Sequence, residues 1–239
     1  MTEGFWIDVE LEYLERNLNG IRERIRRAEA QAGREANAVT MIAAVKYAEA
    51  EEIAGLCALG VRELGENRVQ QLLAHYEAME NPEALRWHFI GSLQTNKVKY
   101  IMDKVCMIHS LDSLKLAEEI EKQASKRGVV MDVLVEINSG EEESKGGILP
   151  SEAEEFCLRL ADYPHLCHRG FMTMAPKCEK KEDYLKYFQQ TYEQVLDIWT
   201  KKLHNIDRPI LSMGMSESFE EAIACGSDMV RIGRSLFLR

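Results

Sequence analysis

Eight short apolar runs alternate along the chain with stretches of helical periodicity, and this alternation restricts the fold more than any other feature. The runs are Thr40–Val45, Val61–Leu64, Trp87–Ile90, Val105–His109, Met131–Ile137, His168–Thr173, Pro209–Met213 and Asp228–Ile232. Between them the spacing predicts helices over about Glu49–Leu59, Asn67–Met79, Asn96–Met102 and Asp112–Arg127. A Ser151-x-x-Glu154 capping box opens the next, to Leu160, and Glu182–His204 and Glu217–Cys225 complete the set. Gly60 and Gly128 stand where helix stops belong. Strands in strict alternation with helices pair in parallel through right-handed crossovers. Eight of them favour a closed (β/α)8 TIM-type barrel over an open doubly wound sheet.

One element falls outside the alternation. Leu14, Leu18, Ile21, Ile25 and Ala28 predict a long helix from Phe5 to Ala32, ended by Gly33. Only six residues follow Gly233, too few for a helix after strand eight. The extra N-terminal helix before strand one is therefore expected to cover that face. Its arginines, Arg22, Arg24, Arg26 and Arg27, interleave with acids and read as a solvated face. No Pro-, Gly- or Ser-rich linker divides the chain, so residues 1–239 are expected to form one barrel domain.

The charge balance narrows the function. Thirty basic residues against forty acidic give a net charge of −10, a poor match for a nucleic-acid backbone or an anionic membrane. A local anion pocket remains compatible with it. No apolar run approaches the roughly 18 residues of a membrane helix, and Met1–Glu10 lacks the basic start of a signal peptide. The six cysteines include no Cys-x-x-Cys pair and read as buried free thiols of a cytoplasmic protein. His165-x-Cys167-His168 lacks the two-plus-two spacing of a structural zinc site.

In such a barrel the reactive groups lie at the C-terminal ends of the strands. Lys46 ends strand one, where desolvation favours the neutral amine that attacks an aldehyde; a lysine snorkelling to the rim is the plain alternative. Strand two ends in Gly65-Glu66-Asn67-Arg68, and Asn67 either donates to a ligand oxygen or caps the next helix. His88 and His109 read as hydrogen-bonded core histidines. The acidic loop Glu141–Glu143 lies on the active face. Ser212-Met213-Gly214-Met215-Ser216 and Arg231-Ile232-Gly233-Arg234-Ser235 are small-residue turns after strands seven and eight, the usual phosphate position. Backbone N–H groups, a serine hydroxyl and a helix N-terminus can cradle an anion there, and Ser216 can also serve as an N-cap. Together with a strand-one lysine, the two turns point to a phosphorylated aldehyde.

These residues carry a family resemblance. Ala44-Val45-Lys46, Gly65–Arg68, Trp87–Gly91, Gly170–Pro176, Leu211–Ser216 and Val230–Gly233, in this order over essentially the whole chain, resemble the pyridoxal phosphate homeostasis proteins. Those proteins are similar to the barrel domain of alanine racemase standing alone. The resemblance implies pyridoxal 5'-phosphate as cofactor, held as a Schiff base on Lys46. It implies phosphate contacts from Ser216 and the Gly233–Arg234 backbone, Arg231 near the pyridine nitrogen, and Asn67 and Met213 in the cofactor-binding set. It implies a cytosolic role in vitamin B6 and amino-acid/keto-acid balance without an established reaction, with apo pyridoxal-phosphate enzymes as partners. Two positions depart from the pattern. Val45 stands where the family often has Ser or Thr, and Arg234 where it often has a small Thr or Ser; the Arg234 guanidinium offers bidentate pairing instead.

Carrier and enzyme make different demands. An arginine facing the ring nitrogen stays charged and keeps that nitrogen unprotonated, which weakens the ring as an electron sink. Racemisation needs acid–base groups on both faces of the substrate. In alanine racemase the second is a tyrosine from a further domain, and no such domain is expected in this chain. A binding and delivery protein is the first reading, and a narrow racemase or lyase the second. A phosphosugar barrel with Lys46 as an aldolase-type nucleophile rests on fold analogy alone.

Overall fold

The computed structural model describes residues 11–141, 146–201 and 208–239. The expected helix start at Phe5, the end at His204 and most of the acidic loop therefore lie outside the described residues. After α1 (Glu12–Gln31) the chain runs β1 (Thr40–Ala44), α2 (Ala50–Ala58), β2 (Glu63–Glu66), α3 (Val69–Ala78) and β3 (Arg86–Phe89). A 3₁₀ helix (Thr95–Tyr100) leads to β4 (Val105–Leu111), α4 (Leu114–Arg127), β5 (Met131–Glu136) and α5 (Pro150–Leu160). The chain then continues through β6 (Leu166–Met172), α6 (Lys181–Thr200), β7 (Ile210–Met215), α7 (Phe219–Ala224) and β8 (Met229–Ile232). The strands form a closed parallel barrel in sequence order. β8 closes on β1, with Thr40 opposite Met229 and Ala43 opposite Ile232. All N-terminal strand ends thus share one face, the floor, and all C-terminal ends share the other, the mouth.

The main core lies between sheet and helices, where Leu14, Leu18, Trp87, Phe89, Phe188 and Phe219 are buried. Each such side chain contributes roughly 1.5–3 kcal/mol. The opposite strand face lines the barrel interior, with Met107, Leu134 and Met172 packed beside Cys106, Ile210 and Met229. α1 packs against α7 and α2 and so covers the barrel where a helix after β8 would sit. Two of its arginines make that joint rather than a solvated stripe. Arg24 pairs with Glu220 at 2.8 Å and lies 4.5 Å over the Phe219 ring, and Arg22 donates to Leu59 O at 3.2 Å. Arg26 and Arg27 pair with Glu23 at the exposed surface.

Several boundaries differ from the sequence reading. β2 starts at Glu63 rather than Val61, because Gly60 N donates to Cys57 O and Val61 N to Leu56 O, closing α2 as a Schellman motif. The helix expected after β3 is 3₁₀, and β7 extends to Met215. Ser151 does not cap α5: Pro150 takes the first helical position after Leu149, and Ser151 falls inside the first turn. Gly128 ends α4 with φ 64°, as its position required. All six cysteines are free thiols, but only Cys157 and Cys225 are buried. Among the described residues no helix is long and apolar enough to cross a membrane.

Candidate functional site

The site takes shape where β7, β8, β1 and β2 end side by side. β1 ends at Ala44, one residue earlier than the sequence suggested, so Lys46 lies two residues past the strand end, after the buried Val45, and is partly buried. Its carbonyl accepts from Gln71 Nε2 of α3, which fixes the backbone beneath the side chain. Nζ lies 4.7 Å over the Tyr47 ring, itself 80% exposed, so the amine sits at a half-open rim rather than in a dry pocket.

Asn67 follows β2. The α3 N-cap is Arg68, so Asn67 does not cap the helix. Glu66, fully buried, accepts from Asn67 N at 3.1 Å and meets His75 Nδ1 at 2.7 Å. Burial pushes the Glu66 carboxyl up, against the opposing pull of His75. Gly91 presses on the same turn: a Cβ there would stand 2.3 Å from Asn67 O and 2.6 Å from Asn67 Cα. With its backbone clamped on both sides, Asn67 leaves Oδ1 buried and without a partner. That oxygen calls for a hydrogen-bond donor from a ligand.

The two small-residue turns are tied to each other. Ser216 Oγ accepts from Ser235 N at 3.3 Å, and the Arg234 guanidinium pairs with Glu217. Ser216 is not the N-cap of α7; that position is Ser218, and the helix has only six residues. The cradle is therefore one of hydroxyl and amides, without a helix N-terminus. The carbonyls of Gly233 and Arg234 are turned along the chain, accepting from Leu236 N at 2.9 Å and Phe237 N at 3.3 Å. Gly233 abuts β1, where an added Cβ would come within 3.1 Å of Ala44 O. This contact sets the β8 turn beside Lys46.

Met213 stands apart from this face. Its side chain is wholly buried in the core between sheet and helices, and Ser227 Oγ holds its backbone, donating to Met213 O at 2.8 Å. Arg231 lies deeper, 4% exposed, with Nη1 donating to Ser212 O at 2.8 Å and Oγ at 2.6 Å and Nη2 to Thr173 O at 2.9 Å. Nε–H takes no acceptor among the described residues. Burial pushes the guanidinium down to about 10, still charged at neutral pH.

Across the mouth the chemistry reverses. Glu136, at the end of β5, is 6% exposed, and burial, reinforced by Asp112, pushes its carboxyl up to about 7 despite Arg231. The strand-end rule that selects Lys46 also selects Glu136, but the apolar run Val133–Val135 drew attention to the strand and not to its last residue. His88 and His109 are both fully buried and hydrogen-bonded. The His165, Cys167 and His168 cluster does not converge: His165 meets Glu121 at 2.7 Å, and His168 meets Gly170 O at 2.9 Å beside Phe171 and Trp199. The mouth thus offers an amine, two clasped small-residue turns and a buried cation, which suit an anionic ligand bearing an electrophilic carbonyl.

Comparison with known proteins points the same way. The alanine racemase N-terminal domain family matches residues 16–239. The pyridoxal phosphate homeostasis protein of Aquifex aeolicus is 44% identical, over 92% of this chain and 95% of its own. A crystal structure of an unknown protein from Bifidobacterium adolescentis superposes with a TM-score of 0.90 at 32% identity, covering 97% of both chains. PipY of Synechococcus elongatus PCC7942, solved with PLP bound, gives a TM-score of 0.79 at 27% identity over 91% of this chain and 100% of that one.

Proposed function

The chain belongs to the pyridoxal phosphate homeostasis proteins of the alanine racemase N-terminal domain family. From that premise we propose that its barrel, residues 1–239, binds pyridoxal 5'-phosphate at the mouth with Lys46 as covalent anchor. The role is cytoplasmic vitamin B6 and amino-acid/keto-acid homeostasis. The observation that carries this reading is the juxtaposition of Lys46 with the clasped turns: Gly233 lies against Ala44, and Ser216 Oγ holds Ser235 N. A side chain at position 233 would press on Ala44 and drive the β8 turn off β1, and the buried Asn67 Oδ1 awaits a donor. The residues present therefore fit the cofactor.

Bound there, the cofactor supplies an aldehyde that condenses with a primary amine and a ring that can draw electrons from an attached group. Lys46 Nζ is the amine, and its half-open rim position gives solution access. Ser216 Oγ and the Gly233 and Arg234 N–H groups hold the phosphate, and Met213, whose side chain is buried away from the mouth, contributes only as the β7 residue that leads into the Ser216 turn. Arg231 offers Nε–H toward the ring nitrogen. Because it remains charged, it withholds a proton from that nitrogen and restrains carbanion chemistry. The site thus favours holding and delivery over turnover, with apo pyridoxal-phosphate enzymes as recipients.

Borohydride treatment after incubation with the cofactor, followed by peptide mapping, tests the anchor. The expected label is on Lys46, absent from Lys46→Ala; a label elsewhere, or none, overturns the reading. Delivery is checked by whether the loaded protein reactivates an apo enzyme faster than release of cofactor to solution allows.

A further inference from the structure

A line of polar side chains runs through the barrel from floor to mouth. Glu63 begins β2 at the floor, and its Oε2 lies 2.6 Å from His88 Nε2. His88 Nδ1 lies 3.0 Å from His109 Nε2, the rings meeting edge-on at 83°. His109 Nδ1 lies 3.0 Å from Ser212 Oγ, which accepts from Arg231 Nη1 at 2.6 Å. His88, His109, Ser212 and Arg231 are each no more than 4% exposed, and four different strands supply them. The residues are linked end to end, and the last is the cation of the candidate site.

The donor of every link can be derived. Arginine only donates, so Ser212 Oγ accepts from Arg231 and gives its own hydrogen to His109 Nδ1. Burial above all, with the Arg231 cation nearby, holds His109 well below the usual histidine range, so it is neutral and carries one N–H. That hydrogen is on Nε2 and goes to His88 Nδ1. His88 then carries its hydrogen on Nε2 and gives it to Glu63. Burial pushes the Glu63 carboxyl up, but the hydrogen bond from His88 and the paired Arg86 guanidinium outweigh it, so the group stays ionised and accepts. Each link then has one donor and one acceptor. The reversed direction would put a second N–H, and with it a positive charge, on the fully buried His88.

The floor end offers an alternative that fails on its own geometry. Glu63, His88 and Cys106 hold potential metal-ligand atoms within 4.8 Å of one another. Yet Arg86 Nε already pairs with Glu63 at 2.9 Å, His88 Nε2 is committed to the same carboxylate, and burial pushes the Cys106 thiol up to about 11. A protonated thiol beside a guanidinium is a poor cation site.

We infer that Glu63, His88, His109 and Ser212 form a directional hydrogen-bond column that positions Arg231, so that a carboxylate on the barrel floor sets the guanidinium at the mouth. These are positioning residues, since only Arg231 would meet a ligand. The inference deepens the cofactor reading and rests on it for its consequence, because Arg231 is the group assigned to the ring nitrogen.

The column can be read without cofactor. In ¹⁵N-labelled protein at pH 8, long-range ¹H–¹⁵N correlation should find both histidines in the Nε2–H form. In Glu63→Gln, Arg86 can only donate and so claims the amide oxygen. The amide NH₂ then faces His88 Nε2, both imidazoles should switch to Nδ1–H, and the Arg231 Nε–H resonance should move. Removing Arg86 as well frees the oxygen to accept from His88, and the double variant should return both rings to Nε2–H. A merely structural role for Glu63 would not produce that reversal. His109 as Nδ1–H in the wild type overturns the column even if the variants fail to fold. An unchanged His109 or Arg231 signal in Glu63→Gln also overturns it. With pyridoxal phosphate added, Glu63→Gln should keep the Lys46 adduct while its absorption maximum shifts and its affinity changes several-fold. A wild type that forms no adduct defeats the cofactor reading, while the cofactor-free spectra still decide the column.

Discussion

The two halves of the barrel mouth are built from opposite chemistry. At the ends of β7, β8, β1 and β2 stand Lys46, the Ser216–Ser235 clasp and Arg234, with Arg231 beneath. At the ends of β4 and β5 stand Asp112 and the buried Glu136, whose carboxyl burial has pushed up to about 7. The chain is acidic overall, so the basic half is a local construction against a net charge of −10. An anionic ligand is steered to one half by attraction and kept off the other by repulsion. Orientation therefore follows from both sides of the mouth.

The sharpest way to break this contrast is to exchange one residue from each half. Lys46→Ala should abolish covalent cofactor capture, while Glu136→Gln should retain it; mass spectrometry after borohydride reduction measures both. Loss of the adduct in both variants would show that the halves act as one unit. Gly233→Val should come next in size. Its Cβ would enter within 3.1 Å of Ala44 O and 3.3 Å of Ala44 Cβ, displacing the β8 turn from β1. Affinity for inorganic phosphate and for the cofactor should both fall about tenfold or more, a change worth about 1.4 kcal/mol per factor of ten. Titration calorimetry reads it, and an unchanged phosphate affinity would place the anion elsewhere.

The two halves were not equally legible in the sequence. The basic half was visible because lysine, paired glycine turns and serines at strand ends are locally unusual. The acidic half was hidden, since one glutamate after Val133–Val135 looks like the end of a strand and its significance comes from burial. β2 was misplaced for a related reason: Glu63, facing the barrel interior, and Glu66, facing His75 of α3, made it look polar, while Val61 belongs to the closure of α2. The interior column was the least visible. His88 and His109 lie 21 positions apart on the paired strands β3 and β4, and His109 and Ser212 lie 103 apart on strands that only the curved, closed barrel turns to face each other. The docking of α1 over the β8–β1 face, by contrast, followed from counting helices.

Acid and core histidine also respond oppositely to pH. With its carboxyl raised from about 4.3 in an unfolded chain to about 7 in the fold, Glu136 binds its proton more tightly when folded. Its contribution is fully present below about pH 4.3 and is lost as pH rises to about 7. His109, held neutral by burial, has the reverse sign: stability is lost as pH falls below about 6.5, where the unfolded imidazole protonates. Glu136→Gln should therefore raise stability at pH 8 by on the order of 2 kcal/mol and change little near pH 4.5. Urea unfolding at the two pH values checks this, and equal shifts at both would remove the carboxyl from the account.

The smallest expected effect lies behind the basic half. Arg24 of α1 makes two bonds to Glu220, at 3.2 and 2.8 Å, and covers the Phe219 ring at 4.5 Å. The side chain is 38% exposed, so solvent screening limits the ion pair, and the ring contact adds a comparable share. Arg24→Ala should cost about 1 kcal/mol of global stability. The effect on function should be confined to the β7–β8 side, because α1 packs on α7 and α2, and α7 follows the Ser216 turn directly. Hydrogen exchange should thus quicken in α1, α7 and the 216–218 turn while the β4–β5 ends stay protected. Equal loosening of both sides would mean that the barrel responds as one cooperative unit, and that the division between its halves is chemical but not mechanical.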